Sequence, residues 1–420
     1  MKVLAVAIAG LAVGAGSVHA ESALTLESAI QLAMTRNERA AIADLDVSSA
    51  EANVSLTRTR FLPLVESSGN VTYRPRDEPA TSAQAVLALS QPLFDPSAFP
   101  LHGQAKHELL ARRAARTDER RRLAFDTANA FFAVLLADQV VQAAQRKVET
   151  AHANVATTDA QVKAQLVSSN DVTRAQISQA TAVRDLATST GNLRAAYVEL
   201  ELLLDTKIAA GLAPPTELLA AGQRPVHAGA QIVTSSVARR ADLVANKELA
   251  RAAHDFAREP RMRYLPAIEL GGQLSVTSDF PSGGHALDAL VAINARWTLF
   301  DSGTRSAEAR SRTARARIAD LETSRLARSI AAEVRSAAAL LASRQAALTA
   351  AGTAREAARK GAREAEILYR QGLAKAIELV DANDQRFIAE VNYATSEFDV
   401  ARAYLTLRLA MGFQPLEDKR

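Results

Sequence analysis

Two carboxylates, Glu378 and Asp381, stand three residues apart at the start of a helical run, a spacing that puts both on one helix face. Most such pairs are simply solvated. Gathered around an axis by several copies of a chain, they would form rings of negative charge, the device by which pores select cations. No other constellation carries chemistry. His102 and His107 are five apart and do not share a helix face, so they lack ligand spacing. Ser282-Gly283-Gly284 is loop punctuation, because no helix start with a lysine follows it. With no cysteine, disulfides and thiolate metal sites are excluded. The reading is a chain without catalytic residues, metal or cofactor. Its net charge is only +4, and its basic residues are dispersed among acids, as in Asp118 to Arg122. That describes solvated helix faces rather than a nucleic-acid surface.

The acidic pair follows a break, Gly372 to Glu378, between two long helical patterns. An earlier break, Gln165 to Asp171, has the same setting. No proline occurs between Pro100 and Pro214, and Leu166-Val167-Ser168-Ser169-Asn170-Asp171 offers N-cap residues for a new helix. Each break reads as the tip of a helical hairpin. The run of roughly sixty residues before the first tip would be on the order of 90 Å long at ~1.5 Å per residue. Narrow Ala-rich stripes, with Leu135, Leu136, Val140 and Val141 in one run and Leu340, Leu341 and Leu348 in the other, suggest coiled-coil packing at close approach.

Before each long run the hydrophobic period changes from 3.6 to 2. Strands are expected at about 61–73, 83–94, 265–278 and 286–300. Val65, Val71 and Tyr73 alternate with Glu66, Ser68 and Asn70, and Ile268, Leu270, Leu274 and Val276 with Glu269, Gln273 and Ser275. Arg263-Tyr264-Leu265-Pro266 echoes Arg60-Phe61-Leu62-Pro63, and Leu299-Phe300-Asp301 echoes Leu93-Phe94-Asp95. One unit therefore occurs twice, at 21–205 and 237–412. A Pro/Gly-containing linker of weak periodicity, 206–236, joins them, and a tail covers 413–420. A first helix, capped by Thr25 with Glu27 in its first turn, is expected to run to about Arg58.

Lys2, the apolar run Val3 to Val13 and Val18-His19-Ala20 form a secretory signal peptide over 1–20. No later stretch of about twenty apolar residues appears, so membrane residence would fall to the strands. Segments of about ten residues, apolar on one face and polar on the other, suit a closed barrel in a bilayer, where every backbone group must pair. Four strands cannot close a useful barrel, so several chains must share one. Tyr73 and Trp297 are candidates for the membrane interfaces. An ordinary half-buried soluble sheet is the competing reading of the alternation.

Leu-Thr-Leu-Glu-Ser-Ala at 24–29, the two Leu-Pro strand entries, both Leu-Phe-Asp motifs and both tips together resemble the TolC-like outer-membrane efflux proteins over essentially the whole mature chain. The resemblance implies a mainly α fold with membrane β-structure. It implies a homotrimer sharing a twelve-stranded barrel in outer-membrane lipid of a Gram-negative bacterium. A helical tunnel would hang into the periplasm and dock on a periplasmic adaptor and an inner-membrane pump. The function implied is the exit duct of a tripartite efflux system. The duct of a type I protein secretion system is the alternative, with a periplasmic coiled-coil scaffold or adaptor behind it. By the same resemblance Asp171 and Tyr369 contact each other to hold the aperture closed, and Glu378 and Asp381 form its acidic rings. Leu166, Ser168, Leu373 and Lys375 fall where an adaptor docks. Ala374 stands where a basic gate residue can occur, with Lys375 or Arg370 as replacements. Gln165 stands where the first tip usually has glycine.

Overall fold

In the computed structural model the structure describes residues 23–75, 80–209, 211–226, 229–280 and 284–416. The signal peptide, most of the Ser282-Gly283-Gly284 turn, His227 and the last four residues of the tail lie outside them. Two helices open the chain, α1 (Leu26–Arg36) and α2 (Glu38–Arg58). The single helix expected here is broken at Asn37, which leaves helical geometry (ψ 134°), donates from Nδ2 to the Leu203 carbonyl and caps α2 by accepting from Arg39 N. Thr25 caps α1 with Glu27 in its first turn, as expected, and Ser28 is its reciprocal partner.

A 3₁₀ turn, Thr59–Phe61, leads to β1 (Leu64–Arg74) and β2 (Ala80–Phe94). Helix α3 (Ala98–Lys163) has 66 residues, roughly 100 Å at ~1.5 Å each. It turns back as α4 (Ser169–Leu204). The linker is not featureless: it contains α5 (Thr216–Gly222), which packs on the last helix, and α6 (Ala230–Arg239), which packs on the long helix of the second unit. The order then repeats as α7 (Ala241–Met262), β3 (Ala267–Phe280), β4 (Gly284–Arg296), α8 (Thr304–Arg370) and α9 (Ala376–Ala410). Strand β4 stops at Arg296, short of the expected 300. Trp297 has left the ladder, and its indole N–H donates to the Tyr264 carbonyl (2.9 Å).

The strands form one antiparallel sheet, β1-β2-β3-β4, in which β2–β3 joins the two units. Its register settles the facing of the side chains. Val65 pairs with Leu89, which pairs with Gly272, which pairs with Val291; Leu87 pairs with Leu274, and Val276 with Leu287. Paired residues share a face, so all four apolar sets lie together. Glu66, Ser68, Gln273, Ser275 and Asp288 lie on the other side. The apolar face is bare: Val71, Leu287 and Val291 are each more than two-thirds exposed. A soluble sheet would bury that face against a layer of helices; a sheet that faces hydrocarbon does not.

The core lies at mid-height, where Phe125, Phe131, Phe132, Leu200, Leu204, Val334, Leu341, Phe398 and Leu405 are buried together. Each large side chain buried there contributes about 2–3 kcal/mol relative to leaving it in water. One stretch of α3 is apolar enough for a bilayer by composition, but more than half of it is buried by neighbouring helices. It is this core stretch. The C-terminal carbonyls of α9 are gathered by arginines: Arg121 donates to Leu409 O (2.6 Å) and Arg240 to Ala410 O (3.2 Å). Asn37 on Leu203 and Arg240 on Ala410 are the same tie in the two units, 203 and 207 residues apart.

Candidate functional site

The two hairpin tips carry the residues singled out above. Both long helices end in the same way. Gln165 adopts φ +58° and Gly372 φ +74°. Leu166 N donates to Gln161 O and Leu373 N to Leu368 O, both 2.9 Å, which closes a left-handed C-terminal turn in each case. Gln165 therefore makes the glycine turn without being glycine. Leu166 and Leu373 project from the turns, 73% and 72% exposed.

The next helices begin differently. Ser168 accepts from Asn170 N, and Asp171 Oδ2 accepts from Ser168 N (3.3 Å), a reciprocal capping box. The equivalent N-cap of α9 is Lys375, whose side chain caps nothing. Glu378, the counterpart of Asp171, is thus left exposed, as is Asp381 one turn on. Neither has an ion-pair partner among the described residues. Ser168 and Lys375 are exposed as well.

The expected Asp171–Tyr369 contact is not made. Tyr369 is buried, and its hydroxyl lies 2.8 Å from Thr158 Oγ1, itself buried. Ala376 and Leu379 complete a small cluster around the ring. The cause is geometric. Asp171 is used by its own helix cap, while the tyrosine ring packs on Ala376 and Leu379 of α9 and its hydroxyl reaches Thr158 on α3. Of the two basic residues beside Ala374, Arg370 bonds Glu366 of its own helix (2.6 Å), while Lys375 is exposed.

Above the tips, by ~24 Å along α3 at ~1.5 Å per residue, lies a group that the sequence pattern did not bring out. Lys147 Nζ is 3.0 Å from Asp185 on α4, 3.0 Å from Asp384 on α9 and 4.6 Å from the Phe387 ring centroid. Burial alone would push the Lys147 pKa down, but the hydrogen bonds it donates to both aspartates, and their charge, outweigh it and hold the pKa above the ordinary lysine value. Burial likewise tends to raise Asp185, yet Arg184 and Lys147 bring it below the usual carboxylate range. Both groups stay charged. A signal was present: Ala144, Ala151 and Thr158 are buried at heptad steps of seven, and Lys147 sits in that seam, where an apolar residue is expected. Tyr369 also follows buried Ala362 by seven.

The histidines are used separately: His102 Nδ1 lies 3.0 Å from the Thr57 hydroxyl, and His107 Nδ1 is 2.7 Å from Glu248. Between sheet and helices, the two Leu-Phe-Asp motifs make the joint. Asp95 accepts from Ser97 N, and Asp301 accepts from Gly303 N and Arg305 N. The hydrogen bond from the Arg305 backbone, with Arg305's guanidinium beside it, holds the Asp301 carboxyl below its ordinary value.

The molecule is thus a bare apolar sheet set on two long helical hairpins. The family model described as outer membrane efflux protein matches residues 29–206 and 232–413, most of the chain. The chain belongs to the outer membrane efflux protein family. No curated protein sequence matches it. Its fold is that of CusC, whose crystal structures concern folding and transmembrane channel formation: TM-score 0.80, 19% identity, 92% of each chain covered. The open-state Neisseria gonorrhoeae MtrE outer membrane channel aligns with TM-score 0.80 and 21% identity, over 92% of this chain and 89% of that one. The Campylobacter jejuni CmeC outer membrane channel aligns with 0.77 and 16%, over 94% and 87%. As a member of the outer membrane efflux protein family, this chain is an outer-membrane efflux channel component. Its sheet is the membrane part, and its helices extend into the periplasm.

Proposed function

We propose that three copies of this chain close into one non-catalytic duct, through which a tripartite system expels small molecules. The observation that carries this reading is the open sheet. Its edges, β1 and β4, have unpaired backbone groups, which hydrocarbon does not tolerate. They run in opposite directions, so β4 of one copy can continue antiparallel onto β1 of the next. Three four-stranded sheets then make a twelve-stranded barrel, with Glu66, Gln273 and Ser275 toward the lumen. The helices support the same closure. On α2, Ala43, Val47 and Ala50 are buried against α3 while Ile42, Leu45 and Leu56 are exposed on the far side; α8 exposes Ile318 and Leu321. Those open flanks lie below the two open strand edges.

In this assembly the tips surround the periplasmic mouth. Glu378 and Asp381 form two acidic rings there, and Leu166, Leu373, Ser168 and Lys375 offer a surface for a periplasmic adaptor coupled to an inner-membrane pump. The mouth opens when the α8–α9 hairpin moves away from α3–α4. Binding at the tips acts by favouring the open arrangement.

The test joins assembly to selectivity. Protein extracted from outer membranes in mild detergent is expected as a heat-sensitive trimer, and Leu45→Arg or Leu321→Arg should reduce its yield. In planar bilayers the double variant Glu378→Gln/Asp381→Asn should lose most of the cation preference of the parent. A soluble monomer, or unchanged selectivity in a conducting trimer, would overturn the assembly and the rings respectively.

A further inference from the structure

The interface between the two hairpins changes character along its length. At mid-height α3 and α9 meet through Phe132 and Phe398, ring centroids 6.0 Å apart, within the main core. About fourteen residues lower on α9, a distance of ~21 Å, the same two helices meet through charge. A crevice there is lined by Arg146, Lys147, Ser178, Asn383, Asp384 and Glu390. Arg146 reaches Glu390 (3.5 Å), Arg359 of α8 holds the same carboxylate (3.1 Å), and Arg386 donates to Thr150 Oγ1 (3.2 Å). Among the described residues Asn383 Nδ2, buried there, has no hydrogen-bond partner. Close-packed apolar seams resist displacement, whereas a polar seam can exchange its partners for water.

We propose that Lys147 is the clamp of this polar seam, a positioning residue that sets how far the α8–α9 hairpin stands from α3–α4. The proposal rests on the gating reading above and names a restraint on the same motion, distinct from the tips. Its geometry is asymmetric. Asp185 belongs to the same hairpin as Lys147 and has Arg184 as a second partner (2.7 Å). Asp384 belongs to the other hairpin, and Lys147 is its one ion-pair partner among the described residues. Removing the lysine therefore frees Asp384 and leaves two aspartates facing each other across the seam, so the hairpins are driven apart. A polar group in a heptad seam also fixes register, which is what an aperture of defined width needs.

The full-length channel, reconstituted in planar bilayers, tests this. Lys147→Met and Asp384→Asn should each raise conductance several-fold, and the double variant no more than the larger single effect. Lys147→Arg and the isosteric Asp185→Asn should stay close to the parent, because the link between hairpins persists. Heat-sensitive trimer on gels, as for the parent, confirms that each variant has assembled. Equal effects of Asp185→Asn and Asp384→Asn would mean a merely structural cluster and overturn the clamp. Parental conductance in Lys147→Met and Asp384→Asn, with Tyr369→Phe opening the channel, would remove the clamp and leave the gate at the tips. Parental conductance in all of these variants would remove the gating reading together with the clamp.

Discussion

The two hairpin tips share one turn and differ in how the next helix starts. After Gln165 the helix α4 starts with a serine, and its third residue, Asp171, closes a reciprocal cap. After Gly372 the helix α9 starts with a lysine, and Glu378 at the equivalent place is left free. One acid is consumed by local structure; the other is available to anything that passes or docks. The difference lies in a single N-cap residue, Ser168 against Lys375. It shows how a duplicated unit separates a structural tip from an electrostatic one without changing the backbone path.

Substitutions can break or sharpen that contrast. The largest effect is expected at Tyr369. Tyr369→Ala empties a buried aromatic site beside the second tip and should cost about 3–5 kcal/mol of local stability, read as faster amide exchange in α8 and α9 next to the turn. Tyr369→Phe removes only the hydroxyl and should cost about 1 kcal/mol. Its effect should be non-additive with Thr158→Val and additive with Asp171→Ala; the reverse pattern in a double-mutant cycle would restore the Asp171–Tyr369 link. Asp171→Ala removes half of the capping box. It should cost α4 up to about 1 kcal/mol, confined in exchange experiments to the first turn after the tip. Lys375→Ser writes the first tip's cap into the second. It should stabilise the start of α9 by about 0.5–1 kcal/mol, while drawing Glu378 back toward the backbone and weakening cation preference. A gain in stability with unchanged selectivity would mean that Glu378 was never at the mouth. Gln165→Gly relieves a left-handed non-glycine residue and should be worth about 0.5–1 kcal/mol, visible only as slower exchange at the first turn.

Much of the fold was legible because its signals are local and repeated. The change of hydrophobic period from 2 to 3.6 placed strands against helices, and the Leu-Phe-Asp echoes related the units. The alternation of Val65, Leu87, Leu89 and Leu274 became one apolar face once the register aligned it. What escaped depends on rotation and reach between distant elements. Asn37 reads as one more polar residue in a helix until its amide is seen on the Leu203 carbonyl, 166 residues away. Tyr369 and Thr158 are 211 residues apart; their meeting is decided by how α8 and α3 each pack on α9, which no spacing within either helix reveals. Lys147 was lost among many solvated cations, because dispersed charge hides the one lysine that occupies a seam. At the tips the expected Asp171–Tyr369 contact is not made, because a local cap competes for Asp171.

The two unpaired edges of the sheet also constrain the order of events when the protein is made. A lone copy in a bilayer would expose the ladder groups of β1 and β4 to hydrocarbon, at a cost of several kcal/mol for each unsatisfied group. If the proposed trimer forms, insertion of one chain followed by lateral recruitment of two more is therefore the costly route. The low-cost route brings the copies together on their periplasmic helices first, with the strands entering the membrane as a set. Biogenesis on this account is concerted. Pulse-labelled chains should pass from unassembled and protease-sensitive to trimeric and membrane-embedded with no membrane-embedded monomer between; accumulation of such a monomer would exclude it.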